Sequence, residues 1–387
     1  MCHSVQIRPG RFFRSNNLKY SFFLLTLIVV QHSWSVGPSS QVESAQEVRF
    51  KEIPFEMKEN EKLVISSLHG RVILKGQEGT GSSSAVYLRA KKIRKKESTQ
   101  KDGPSSSGTS LGDKQNLDQE FADLSFTVRK EGNAYLIEDK GIMSRSDLAR
   151  KVEEREMEMV YEIEASSQPV EIHLHDGAVS VKNWHRSVDI TLVDGTVQAR
   201  DSSGDFNVQL QKGVVTVESH IGRVDIDSFG AQFSAKKVEG DLIVKNFGGE
   251  SNFNEIKGDV DIRTYSGPVQ VAKLSGSLAF DVGRSVLKII DLEGALRGKT
   301  DLGTVSAGLL GESEVDVESN QGTVGLRLPA SSGAALKLNS EEGAIYAPEG
   351  VKSYDSGNGQ AVRTRLKGDG PKGVVTIKSK SGIIRVH

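Results

Sequence analysis

Glu171, His173 and His175 alternate with Val170, Ile172 and Leu174, which sets both histidines on the outer face of one strand, with Asp176 next. A His-x-His pair on a strand can ligate zinc or copper, metals that usually take three or four protein ligands. Only His185 is near in sequence as a third nitrogen. His173, His175 and His185 are therefore the metal candidates, and with no fourth group in view they read as solvated surface residues; no cofactor is assigned. Asp189, Asp225 and Asp261, with Arg263, could supply the paired carboxylates of a glycan-cleaving site. Yet outward acids and bases alternating along a strand are what any solvated sheet face shows. No Ser-His-Asp spacing, phosphate-binding loop or dinucleotide fingerprint occurs, so no catalytic residue is assigned. Calcium-binding nonapeptides use doubled glycines and a G-x-G-x-D series. Here only Gly248-Gly249 doubles within the array, and the aspartates fall on strands.

The element that must position all of these is a glycine repeat of nine residues. It stands at Gly195, Gly204, Gly213 and Gly222, passes Gly230 and Gly240, and continues through Gly249, Gly258, Gly267 and Gly276 to Gly294 and Gly303. Aligned on it, the unit is G-x-Φ-x-Φ-x-x-Φ-x with Φ apolar: Gly222-Val224-Ile226-Phe229, Gly240-Leu242-Val244-Phe247, Gly267-Val269-Val271-Leu274. Two inward strand residues plus one inward corner residue account for the three apolar positions, and the array spans about 170–328. Self-similarity at a fixed period marks a repeat architecture. The composition is Val-, Gly-, Asp- and Ser-rich with little helical periodicity, so the chain is all-β.

Nine-residue units could pair as an antiparallel meander or as a parallel β-solenoid with two or three units per coil. The same face pattern recurs in every unit and hairpin dipeptides are missing from the corners, which favours the solenoid. Two units per coil are preferred, because that spacing yields a neutral polar row Ser180, Gln198, Thr216, Ser234, Asn252, Gln270 able to bond along itself. The other row becomes Asp189, Asn207, Asp225, Ile243, Asp261, whose carboxylates stand two coils apart.

Outside the array, Arg8, Arg11, Arg14 and Lys19 precede the apolar run Phe22–Val30, and Ser33-Trp34-Ser35 forms a small-x-small site. Residues 1–35 read as a secretory signal peptide; the apolar run is about half the roughly 20 residues of a membrane span. The one cysteine, Cys2, lies in that segment, so the mature chain has no thiol chemistry, which suits an oxidising space. The net charge of −1 supplies no basic field for nucleic acid. Residues 36–47 read as a flexible leader and 48–387 as one domain. Within it, 48–75 holds a strand–turn–strand unit and Ala85–Ile93 a strand. The stretch 95–118, Lys/Ser/Gly/Asp-rich with almost nothing apolar, reads as a disordered insert. Leu124–Arg129 and Ala134–Glu138 form a hairpin, Ser144–Glu156 a helix or charged turn, and Met157–Ile163 a strand.

The stretch Met159–Ile163 leading to Val170–Val181, the Gly258–Ile262 type of unit, the tail Gly322–Pro329, Gly343-Ala344-Ile345, Gly373–Ile377 and Ser381–Val386 together resemble the bacterial putative-adhesin family of exported β-strand-repeat proteins. The resemblance runs from about residue 48 to the C-terminus. It implies a right-handed β-solenoid, an exported adhesin-like role in the periplasm or at the cell surface, and no catalytic residues. The expected function is non-enzymatic binding or scaffolding at the bacterial cell envelope, with glycans or proteins as partners. The rival is a carbohydrate-active enzyme, a lyase or hydrolase on a parallel β-helix.

Overall fold

The computed structural model describes residues 46–58, 60–77, 85–95, 126–139, 157–165 and 168–387. The segments read as signal peptide (1–35), most of the leader (36–47), all but the first residue of the polar insert (95–118) and Ser144–Glu156 lie outside them. Every regular element described is a β-strand, and the strands form one long, mostly parallel sheet. The all-β, parallel expectation is met.

From Val170 to Thr300 paired segments lie eighteen residues apart, and the offset widens to nineteen in the next coil, with Leu296 opposite Val315 and Thr304 opposite Thr323. Val224 faces Leu242, Leu242 faces Val260, and Val260 faces Leu278, all in parallel. The alternation of side chains along each strand then sends whole rows inward: Val224, Ile226, Leu242, Val244, Val260 and Ile262 are all at most 1% exposed. These rows join one continuous hydrophobic core in which strands pair with those of adjacent coils, which makes the core quasi-one-dimensional. Gly222, Gly240 and Gly258 form a corner row at positive φ (134°, 144°, 145°). A Cβ at Gly240 would stand 2.2 Å from the carbonyl oxygen of Gly222, so neither conformation nor space admits a side chain.

The third apolar position of the repeat behaves differently from its expected inward placement. Trp184, Val238 and Leu274 are buried, whereas Phe229 (63%), Phe247 (51%) and Leu310 (58%) are exposed. The cause is a single backbone conformation used on alternate units. Lys237, Glu255 and Lys273 adopt left-handed φ of 55°, 59° and 54°, one residue before Val238, Ile256 and Leu274. That residue breaks the two-residue alternation and turns its successor inward. On the intervening units no such break occurs, so the inward position falls one residue earlier, on Ser228, Asn246 and Thr264, and the next side chain points out.

Both ends depart from chain order. The strand Lys62–Gly76 abuts the array directly, with Leu63 opposite Val170, while Ala134–Asp139 and Met157–Ala165 pair on its other edge. The hairpin Phe126–Glu131/Ala134–Asp139 forms at the expected place. The strand Gln46–Glu56 starts within the segment read as leader and pairs antiparallel with Ala85–Lys95. Near the C-terminus, Val374–Ser379 is inserted between Glu314–Ser319 and Ala335–Ser340, parallel to both.

Candidate functional site

The exposed corner residues assemble into an aromatic row. The rings of Phe229 and Phe247 stack with centroids 5.0 Å apart and planes 7° from parallel; Phe247 and Tyr265 repeat this at 5.1 Å and 12°. The spacing is that of neighbouring strands, so the sheet register itself sets the stack. One step further the row holds Gly283, where a Cβ would come within 2.9 Å of the Tyr265 ring. The guanidinium of Arg284 lies over that ring at 5.8 Å, within the range of a cation–π contact.

Two residues upstream of the rings runs a charged row, with Asp227 opposite Lys245, Lys245 opposite Arg263, and Arg263 opposite Asp281. Arg263 bonds Asp261 at 3.0 Å and Lys299 bonds Asp281 at 3.1 Å. Among the described residues neither Lys245 nor Arg284 forms an ion pair with a carboxylate. Between charges and rings lies the buried polar row. Asn246, 1% exposed, donates from Nδ2 to the Ala231 carbonyl at 2.8 Å, and Thr264 donates to the Ser266 carbonyl at 2.8 Å. The Asn246 bond ties its strand end back to the preceding coil and the Thr264 bond ties its strand end to the following turn, which together fix the backbone that carries the rings. Together the charges, the rings and Gly283 line one shallow, open groove.

The residues singled out from sequence lie elsewhere. His173 pairs through Nε2 with Glu171 at 2.9 Å; His175 is exposed; His185 meets the Ser203 hydroxyl at 3.0 Å. The Lys62 ammonium, and then His173, hold the Glu171 carboxyl below the usual carboxylate range. Among the described residues no three His, Cys, Asp or Glu side chains converge on a point that could hold a metal. Asp189, Asp225 and Asp261 do share one outward row. Each is engaged locally: Asp189 accepts from Asn207 at 2.6 Å, Asp225 from Arg223 and Asp261 from Arg263, both at 3.0 Å. The register also sets Ser180, Gln198, Thr216, Ser234, Asn252 and Gln270 in one row. Asn252, however, donates to Glu250 two residues before it rather than along that row.

The aromatic row was missed from sequence because its members fit the apolar template. The one available signal was that all three are aromatic and eighteen residues apart.

No protein-family model matches the chain, and a search of curated proteins finds no match. Among solved structures it is similar to a putative cell adhesion protein from Clostridium sporogenes, at 14% identity and a TM-score of 0.20, covering 87% of this chain and 99% of that one. A putative adhesin from Bacteroides fragilis matches at 12% identity and a TM-score of 0.26 over 88% and 97% of the two chains. A putative lipid binding protein from Parabacteroides distasonis matches at 12% and 0.24 over 72% and 94%. The expected likeness to bacterial putative adhesins is there. TM-scores this low leave the site to be read from this chain's own residues.

Proposed function

We propose that this chain is an exported, non-enzymatic binding or scaffolding protein of the bacterial cell envelope or surface. Its body is a right-handed β-solenoid of eighteen-residue coils, each built from two nine-residue units, with residues 1–35 removed on export and 48–387 acting as one domain. The eighteen-residue offset of the strand pairs and the left-handed residues at the same interval, from Asn183 and Asp201 to Lys273 and Asp291, support that coil.

The observation that carries the function is the solvent-exposed stack Phe229–Phe247–Tyr265 on an open, regular face. Rings left in water cost free energy that burial against a partner would recover. A flat, repeating face suits an extended partner touched through many small contacts, such as an envelope glycan or another surface protein. The candidate acids lie on an open row and are engaged with their own neighbours, an arrangement suited to solubility and stacking rather than to proton transfer.

The test is retention of the purified protein on envelope fractions and immobilised glycans, beside a variant with Phe229, Phe247 and Tyr265 all replaced by Ser. The expected result is binding by the natural chain and its loss in the triple variant. Equal retention of the two, or release of new reducing ends from any glycan, would overturn the reading. Intact-mass measurement on exported protein checks the processing: a chain starting near Val36 is expected, and one retaining Met1 would contradict it.

A further inference from the structure

We propose that the groove along Phe229, Phe247 and Tyr265 is a seat for an acidic polysaccharide laid along the row, a ligand class that rests on the binding function proposed above. Two glycines point to a bound chain. Gly230 and Gly248 each follow a ring residue directly, and neither adopts positive φ. A Cβ at Gly230 would meet nothing closer than 4.0 Å, and at Gly248 nothing closer than 3.4 Å. Neither backbone conformation nor packing therefore calls for glycine at these two positions. Gly249 next door differs: its φ is +96° and its Cβ would stand 2.3 Å from the Ala231 carbonyl oxygen. The missing side chains at 230 and 248 keep the downstream flank of Phe229 and Phe247 clear.

The chemistry of the ligand follows from how the rings are presented. Stacked nearly parallel, each ring covers its neighbour's face, so the row offers edges to solvent. Aromatic edges carry the positive part of the quadrupole and attract oxygen-rich, electron-dense groups. Of the charges lining the groove, Arg263 is paired with Asp261 and Asp281 with Lys299, which leaves Asp227 and Lys245 opposite each other; Arg284, exposed beside the Tyr265 ring and not ion-paired among the described residues, is the cation in excess. An extended sugar chain bearing carboxylates matches all three: hydroxyl and ring oxygens for the edges, C–H surface for apolar contact, acid groups for Arg284. A neutral glycan would leave the excess cation at Arg284 unused.

The test uses the purified full chain with three polymers: polygalacturonate, neutral dextran and poly-L-glutamate, read by isothermal calorimetry or affinity electrophoresis. Polygalacturonate binding that weakens with added salt is expected, with little retention by the other two. Lys245→Glu combined with Arg284→Glu should weaken it by about tenfold or more. Gly230→Leu with Gly248→Leu should abolish it while the thermal midpoint stays unchanged, a split that a purely structural role for the glycines would not produce. Equal binding of dextran would refute the charge argument, and equal binding of poly-L-glutamate would make the site a peptide seat instead. If no polymer binds while the chain is still held by envelope fractions, the ligand assignment fails and the broader binding role stands. If the envelope fractions fail too, both fall.

Discussion

The imidazole of His220 and the hydroxyl of Ser202 meet at 2.9 Å inside the core, facing each other across neighbouring strands. His220 is 1% exposed and occupies a place where Val238 and Ile256 stand further along the same row. Its Nε2 lies 2.9 Å from the Gly204 carbonyl, which can only accept, so Nε2 carries the proton and Nδ1 accepts from Ser202 in the neutral ring.

Burial holds the His220 pKa below its usual value, against the smaller opposing pull of the Gly204 and Arg223 backbone and of Asp205. The folded form therefore binds its proton less readily than the unfolded chain. Stability should be complete above the unfolded pKa of about 6.5 and fall as the pH drops from there toward the folded value. Urea midpoints measured from about pH 8 to about pH 5 should show this slope, and His220→Leu should flatten it. An unchanged slope in the variant would assign the effect to other groups.

Val244 and Lys245 are adjacent in sequence and opposite in environment. Val244→Asp places an unpaired carboxylate in a row sealed on both sides and should cost several kcal/mol. Lys245→Asp, on the exposed face, should change stability by about 0.5 kcal/mol or less. Chemical denaturation giving equal midpoints would invalidate the inward and outward assignment.

The paired glycines 248 and 249 make a sharper contrast. Gly249→Ala forces positive φ and a backbone clash on a residue with a Cβ, and about 1–3 kcal/mol of destabilisation is expected. Gly248→Ala meets no such obstacle and should be neutral, or stabilise by up to about 1 kcal/mol through the unfolded chain. Thermal melts of the two single variants decide it.

Stacking of Phe229 on Phe247 should appear as a coupling. A double-mutant cycle with Phe229→Ala and Phe247→Ala is expected to return about 0.5–1.5 kcal/mol. Strict additivity would mean that the rings contribute no mutual stabilisation.

The period, the parallel pairing and the inward rows could be read from the sequence because glycine and alternating Val, Ile and Leu report them directly. The difference between alternate corners could not. The residues that adopt left-handed φ are Asn183, Asp201, Ser219, Lys237, Glu255, Lys273 and Asp291, and so varied a set offers no compositional cue. Phe247 and Leu274 hold the same place in the repeat, yet only the conformation of the residue before them separates surface from core. His220 and Asn246 were hidden for the opposite reason: polar types suggest exposure, and only their partners Ser202, Gly204 and Ala231 explain their burial. The out-of-order strands near both ends depend on pairings between residues far apart in sequence, which no local pattern encodes.

The insertion of Val374–Ser379 between Glu314–Ser319 and Ala335–Ser340 makes a late strand the bridge between two earlier ones. In sequence, Ala335–Ser340 precedes the strand that lies between it and Glu314–Ser319. Ala335–Ser340 reaches Glu314–Ser319 only through Val374–Ser379, which pairs with both. Deleting the C-terminal residues would thus remove an interior rung rather than shorten the ladder from its tip.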